Sequence, residues 1–167
     1  MFIPTIYIEN IKPENKSIEV SSNKLHHLKN VLRIRDEDKI NISNGKGLVF
    51  YGNFVNNFVK INKSRMYERQ NSLRIFVPYL REKNRFRFLI EKLTELNVNE
   101  VHIGMTENTQ NTNYNKSKIL DWAISALEQS GSAYLPSLFF PDNLNFSVFS
   151  TCLDISGEKL NKNREKL

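Results

Sequence analysis

The hydrophobic period changes near residue 71, and that change constrains the architecture more than any other feature of the chain. Up to residue 70, apolar and β-branched residues come in short runs broken by turn formers; beyond it, β runs alternate with segments of helical spacing. The first part predicts strands over 2–8, 17–20, 39–43, 48–55 and 58–63 around one short helix. Asn44-Gly45 and Asn56-Asn57 separate neighbouring β runs, and both residue types tolerate the positive φ of primed hairpin turns. A small β-barrel is the natural product. Ser22 is the expected cap of a helix with Leu25, Leu28 and Leu32 on its inner face and His27, Lys29 and Arg33 toward its margin.

In the second part, residues 73–80 form a β run, and residues 84–96 place Phe86, Leu89, Ile90, Leu93 and Leu96 at helical spacing. Val101, Ile103 and Met105 then alternate as a strand. Another helix follows over 117–130, with Ile119, Trp122, Ala123, Ala126 and Leu127 inward, Ser117 as its cap and Gly131 at its end. Pro136 and Pro141 bracket a further apolar segment over 138–140, and 150–155 is the last expected strand. Strand alternating with helix predicts a parallel α/β sheet. The chain is thus read as two domains, 1–70 and 71–167. The latter is expected to be incomplete, because residues 156–167 are mostly polar and add no crossover to cover the other sheet face. Its strands are accordingly expected to leave edges and apolar surface exposed.

Charge follows the same division. The net charge is +6, but residues 1–70 carry twelve basic and seven acidic groups, against twelve and eleven in the remainder. A basic module joined to a near-neutral one suits a polyanion partner, although ordinary solubility charge explains the excess equally simply. One cysteine, Cys152, permits no internal disulfide, and with three histidines it makes no spaced zinc site. No run approaches the ~18 apolar residues needed to span a bilayer, and the first residues lack the order of a signal peptide. The expectation is a soluble, cytoplasmic protein without a metal. No Gly-x-Gly-x-x-Gly or Walker loop is present to support a dinucleotide or nucleoside triphosphate.

Three clusters bear on chemistry. Arg81, Lys83, Arg85 and Arg87 crowd a helix start, where charge and free N–H groups can hold phosphate, or where a solvated face with an Arg87–Glu91 pair accounts for the same residues. Glu91 and Glu95 lie four apart on one helical face with no histidine beside them, which favours surface ion pairs over acid/base work. Glu128-Gln129-Ser130-Gly131 closes the later helix, and the glycine alone explains it as a cap. His26, His27 and His102 accompany no Gly-x-Ser-x-Gly or Cys/His signature, so they read as core or surface residues.

Taken in order, Ile3-Pro4 with Tyr7, His27-Leu28 with Val31-Leu32-Arg33, the run from Ile90 through Glu91-Lys92-Leu93-Thr94-Glu95-Leu96-Asn97 to Val98, Thr106-Glu107, and Glu128-Gln129-Ser130-Gly131 resemble the RsmE family of small-subunit ribosomal RNA methyltransferases. The resemblance covers essentially the whole chain. It implies a PUA-like RNA-binding barrel followed by a SPOUT-type α/β domain with a trefoil knot. It also implies a homodimer that moves a methyl group from S-adenosylmethionine to N3 of a uridine in 16S rRNA, within the small ribosomal subunit. By the same resemblance Glu128 and Gln129 are the expected catalytic residues, and Arg33, Lys29, Arg85, Lys83 and Gly131 the expected RNA contacts. The family places no strong base at N3, so the work falls on positioning the base and favouring its anion electrostatically.

Two departures stand out: Asn108 and Ser132 occupy positions where the family usually has Arg. The family's cofactor loops should also follow residues 153–158, where this chain has little sequence left, so impaired methyl transfer is expected. Two other readings remain open: an RNA-binding module without catalysis, and a dimerisation remnant in which Trp122 and Leu127 face another chain.

Overall fold

The structure is a computed structural model that describes residues 3–69, 72–106, 109 and 114–141. Two sheets divide it. The first has five strands, β1 (Thr5–Tyr7), β2 (Ser17–Glu19), β3 (Lys39–Ser43), β4 (Leu48–Val55) and β5 (Phe58–Met66), in the order β1-β3-β4-β5-β2. β1 runs parallel to β3 and every other pairing is antiparallel. The expected barrel is realised as a curled sheet: β1 and β2 are its edges among the described residues, and the inward residues of all five strands share one core. Ile40, Ile42, Phe50 and Val59 are wholly buried there, and Phe54 nearly so, each worth roughly 1.5–3 kcal/mol in apolar transfer.

The two hairpins are built differently. Asn56 and Asn57 adopt φ of 48° and 70°, the primed geometry their residue types favour, and join β4 to β5 directly. Asn44-Gly45, expected as a two-residue turn, instead opens a four-residue loop. Asn44 accepts from the Lys46 and Leu48 N–H groups, and Gly45 and Gly47 take φ of 68° and 100°. The β4–β5 ladder carries a bulge: Gly52 pairs with Ile61, yet the next residue back, Tyr51, pairs with Lys63. Only glycine fits at 52, where a Cβ would lie 2.1 Å from the Lys60 carbonyl oxygen.

The short helix α1 (Ser22–His26) runs straight into a π-helical turn, His27–Val31. Its cap is Ser21 rather than Ser22, and the Ser21 side chain makes no capping bond. The Leu32 N–H donates to the His27 carbonyl at 3.1 Å, an i→i+5 bond that turns the following residue off the core. Leu28 is therefore fully buried and Leu25 packs beside it, but Leu32, expected inside, is 41% exposed.

The other sheet holds β6 (Arg74–Pro78), β7 (Glu100–Gly104) and β8 (Ser137–Phe139), all parallel, with β7 central. Helices α2 (Lys83–Glu95) and α3 (Lys116–Ser130) supply Phe86, Ile90, Leu93, Ile119, Trp122 and Ala123 to a core with Val77, Val101 and Ile103. The helix-facing side of β6 and β7 is thus covered, while Leu73, Met105 and Phe139 are exposed and β6 and β8 are the sheet's edges among the described residues, as expected. Trp122 and Leu127 are buried inside this chain, which removes the basis for a surface that meets another copy through them. Asn115, not Ser117, caps α3 through a bond from the Ser117 N–H, and Gly131 ends it at φ 70° as expected. Leu96 is exposed because α2 stops before it and Asn97 turns into the left-handed region. The strand expected over 150–155 lies outside the described residues.

Candidate functional site: the cleft between the two sheets

The Asn44–Gly47 loop docks one sheet on the other. The Gly47 N–H donates to the Ala133 carbonyl, the Leu135 N–H donates to the Gly45 carbonyl, both at 2.9 Å, and the Tyr134 hydroxyl donates to the Tyr67 carbonyl. A Cβ on Gly47 would fall 2.6 Å from the Tyr134 hydroxyl oxygen, so this seam requires glycine. A further brace lies at the end of α3. Glu128 Oε1 accepts from the Tyr7 N–H at 2.8 Å and pairs with Lys24 Nζ at 2.5 Å.

Beside the seam opens a cleft of about 460 Å³. One wall is the outward side of β3 and β4, with Asn41, Val49 and Tyr51, continued by Tyr67 and Arg69 after β5. The other is the α2–β7 turn, Leu96 and Asn97, with the chain from Gly131 to Tyr134. The Ser132 hydroxyl donates to Asn97 Oδ1 at 2.7 Å, so the serine standing where the resemblance expects Arg ties these two segments together.

Aromatic rings and cations alternate along this wall. Lys63 Nζ sits 5.0 Å from the centre of the Tyr51 ring, the Arg65 guanidinium 4.6 Å from that of Tyr67, and the Arg69 guanidinium 4.5 Å from that of Tyr134. The Tyr51 and Tyr67 hydroxyls share a 2.5 Å hydrogen bond, and the Tyr51 phenol is pushed up to about 12 by burial and then by that bond. Arg69 donates from Nη2 to the Leu135 carbonyl at 3.1 Å, while its buried Nε has no hydrogen-bond partner among the described residues. Burial pulls the Arg69 guanidinium below its ordinary value, opposed by the Tyr134 hydroxyl. The cleft lining therefore offers phenols and ring faces, one cation, Arg69, and one carboxylate, Glu68, with Lys63 and Arg65 on the sheet face beside it.

Of the expected site residues, Gly131 lines this cleft. Glu128 is half-buried at the seam and engaged by Lys24 and Tyr7, and Gln129 is exposed on the last turn of α3. Lys29 is exposed and donates to Asn57 Oδ1, and Arg33 is exposed in a left-handed turn at φ 54°. Lys83 and Arg85 are exposed on the first turn of α2, where Lys83 is pulled down chiefly by neighbouring Lys118. The N–H groups of that helix start are not free for phosphate: Glu82 caps them, accepting from Asn84 and Arg85. Glu91 and Glu95 pair with Arg87 and Lys92 as surface ions. His26 bonds to Asn30 on the surface, and His102 faces Glu100 and stacks on Phe139. No group of His, Cys, Asp and Glu suited to a metal occurs among the described residues. Nor is any helix among them long and apolar enough to cross a membrane. Asn108, and residues 153–158 with the cofactor segment expected after them, lie outside the described residues. Sequence reasoning missed Tyr51, Tyr67, Arg69 and Tyr134 as site residues; the weak signal was the interleaving of basic residues and tyrosines from residue 60 onward.

A curled basic sheet clamped to a parallel α/β layer is the plan of a two-domain RNA methyltransferase. Residues 68–153 match the family described as RNA methyltransferase domain, and residues 21–51 match the RNA methyltransferase PUA domain. The chain belongs to the RsmE-type family of 16S rRNA methyltransferases. It is 31% identical over 153 residues to the ribosomal RNA small subunit methyltransferase E of Buchnera aphidicola subsp. Schizaphis graminum, covering 84% of this chain and 62% of that protein. Its counterpart from Buchnera aphidicola subsp. Acyrthosiphon pisum is 30% identical over 162 residues, covering 90% and 62%. The chain thus spans less than two thirds of these relatives. Among solved structures, a predicted RNA methyltransferase from Thermotoga maritima superposes with a TM-score of 0.70 at 25% identity, over 86% of this chain and 67% of that one. The small subunit methyltransferase E of Neisseria gonorrhoeae, solved bound to S-adenosyl methionine, gives 0.71 at 20% identity, over 83% and 62%.

Proposed function

We propose that this protein serves the transfer of a methyl group from S-adenosylmethionine to N3 of a uridine in 16S rRNA, in the cytoplasm and as a homodimer. The observation that carries the proposal is the cleft itself: a slot between the two sheets lined by Tyr51, Tyr67, Tyr134 and Arg69, with Lys63 and Arg65 on the sheet face beside it, in a chain of the RsmE-type family. S-adenosylmethionine supplies an electrophilic methyl group when bound.

What the described residues do is hold the RNA. N3 of uridine must lose its proton, and a partly desolvated cationic site favours the resulting anion without needing a strong base. Arg69 suits that task, being positively charged, half-buried and at the cleft wall. Glu128 acts as a positioning residue, fixing the end of α3, so that Gly131 admits close approach and Gln129 offers a polar contact nearby. Lys29, Arg33, Lys83 and Arg85 add phosphate contacts away from the cleft.

Nucleoside mass spectrometry of 16S rRNA from the source organism, with and without the gene for this chain, tests the activity. The expected result is loss of one N3-methyluridine on deletion. Unchanged N3-methyluridine overturns methyl transfer and, if RNA binding persists, leaves a non-catalytic RNA-binding module. Sedimentation of the protein checks the dimer.

A further inference from the structure

Four cations of the first sheet cluster on one of its faces. On α2, Arg87 pairs with Glu91 and Lys92 with Glu95, while Lys83 and Arg85 make no ion pair among the described residues. On the outward face of β3, β4 and β5 four unpaired cations stand together. Lys39, Lys60, Lys63 and Arg65 are exposed there, and none makes an ion pair among the described residues.

The bulge opposite Gly52 creates this face. Val59 and Ile61 point inward with Phe54 and Gly52, so an unbroken ladder would pair Asn62 with Tyr51 and Lys63 with Phe50, leaving Lys63 on the side away from Tyr51. The extra residue resets the alternation. Lys63 then stands across from Tyr51 and Arg65 across from Val49, both outward, and Tyr67 follows at the end of the strand. The extra residue thus brings both cations onto the tyrosine-bearing side of the sheet. The result is a row of rings, each with a cation over one side, leading into the 460 Å³ cleft.

We propose that this outward face of β3–β5 is a track for single-stranded RNA, on which Tyr51 and Tyr67 stack unpaired bases while Lys63 and Arg65 meet the phosphates, delivering the strand into the cleft. It rests on the reading that RNA is the substrate, and goes beyond it by naming the surface and the strandedness. Ring faces flanked by cations are what unpaired nucleotides need, whereas a duplex keeps its bases stacked on each other and offers phosphates alone.

Fluorescence anisotropy with a labelled oligouridylate, and with an RNA duplex of equal length, tests it on the full chain. K63S/R65S is expected to weaken oligouridylate binding about tenfold and to shrink the log–log salt slope by about 1.4, the share of two phosphate contacts to a single strand. Tyr51→Leu is expected to weaken it about tenfold and Tyr51→Phe to retain it within about twofold, since stacking survives without the hydroxyl. K12S/K92S removes the same charge elsewhere and is expected to stay within about twofold. Oligouridylate binding unchanged in K63S/R65S, or lowered equally by K12S/K92S, overturns the track, as does duplex binding as tight as single-strand binding. Absence of RNA binding by the parent chain overturns both the track and the RNA reading. Loss of methyl transfer with binding intact overturns the catalytic reading alone.

Discussion

Glu82 occupies a position whose neighbours suggest the opposite of its task. Among Arg81, Lys83, Arg85 and Arg87 it is the lone acid, and the four cations give the helix start the aspect of a phosphate site. Its carboxylate instead accepts from the Asn84 and Arg85 N–H groups at 2.9 and 2.7 Å. Those two bonds, with a smaller contribution from the Arg85 charge, hold its carboxyl below the ordinary value of 4.5. A carboxyl depressed on folding stabilises the folded state above its unfolded pKa, and that stability disappears as pH falls through the lower folded value. Glu82→Gln is therefore expected to melt below the parent protein at neutral pH, and the gap is expected to close as pH drops below about 4.5. Thermal melts across that window check it; a gap that persists in acid would mean the cap acts by shape rather than charge.

At the scale of the element, the π-helical turn decides which leucines matter. A 3.6-residue period puts Leu25, Leu28 and Leu32 on one face, but the i→i+5 bond at Leu32 inserts a residue's worth of rotation after Leu28. Leu28→Ala is expected to cost about 2–5 kcal/mol because its site is wholly enclosed. Leu32→Ala is expected to stay within about 0.5 kcal/mol. Urea titrations separate the two, and equal losses would restore the regular helix. The same contrast explains what the sequence made legible. β3 and β4 appear with the expected bounds, and α2 and α3 within a residue at their starts, because each buries one face and its period is written in side chains. Leu96, Leu32 and the Asn44-Gly45 loop went astray where backbone geometry decides: a left-handed Asn97, a π turn, and glycines held at positive φ by contacts from the other sheet. The bulge at Gly52 left no mark in the apolar pattern, so the face carrying Lys63 and Arg65 was invisible too.

For the whole molecule, the question is what holds the two sheets in one arrangement, since the cleft exists only while they are docked. Its bonds join residues 121 and 104 positions apart, and no periodicity foretells such contacts. Family resemblance marked Tyr7 and Glu128 separately; the fold brings them together, which gives Glu128 a physical role that chemistry at the uridine does not require. Glu128 and Lys24 side chains are 25% and 30% exposed, so solvent screens the pair and its coupling should be modest. A double-mutant cycle of Lys24→Met and Glu128→Gln is expected to show a coupling of about 0.5–1 kcal/mol in unfolding free energy. Lys24→Met touches nothing in the cleft lining, yet it should lower oligouridylate affinity alongside Glu128→Gln if the brace sets the width of the slot. Additive stabilities, with affinity lost in Glu128→Gln and kept in Lys24→Met, would instead make Glu128 a group that meets the RNA itself.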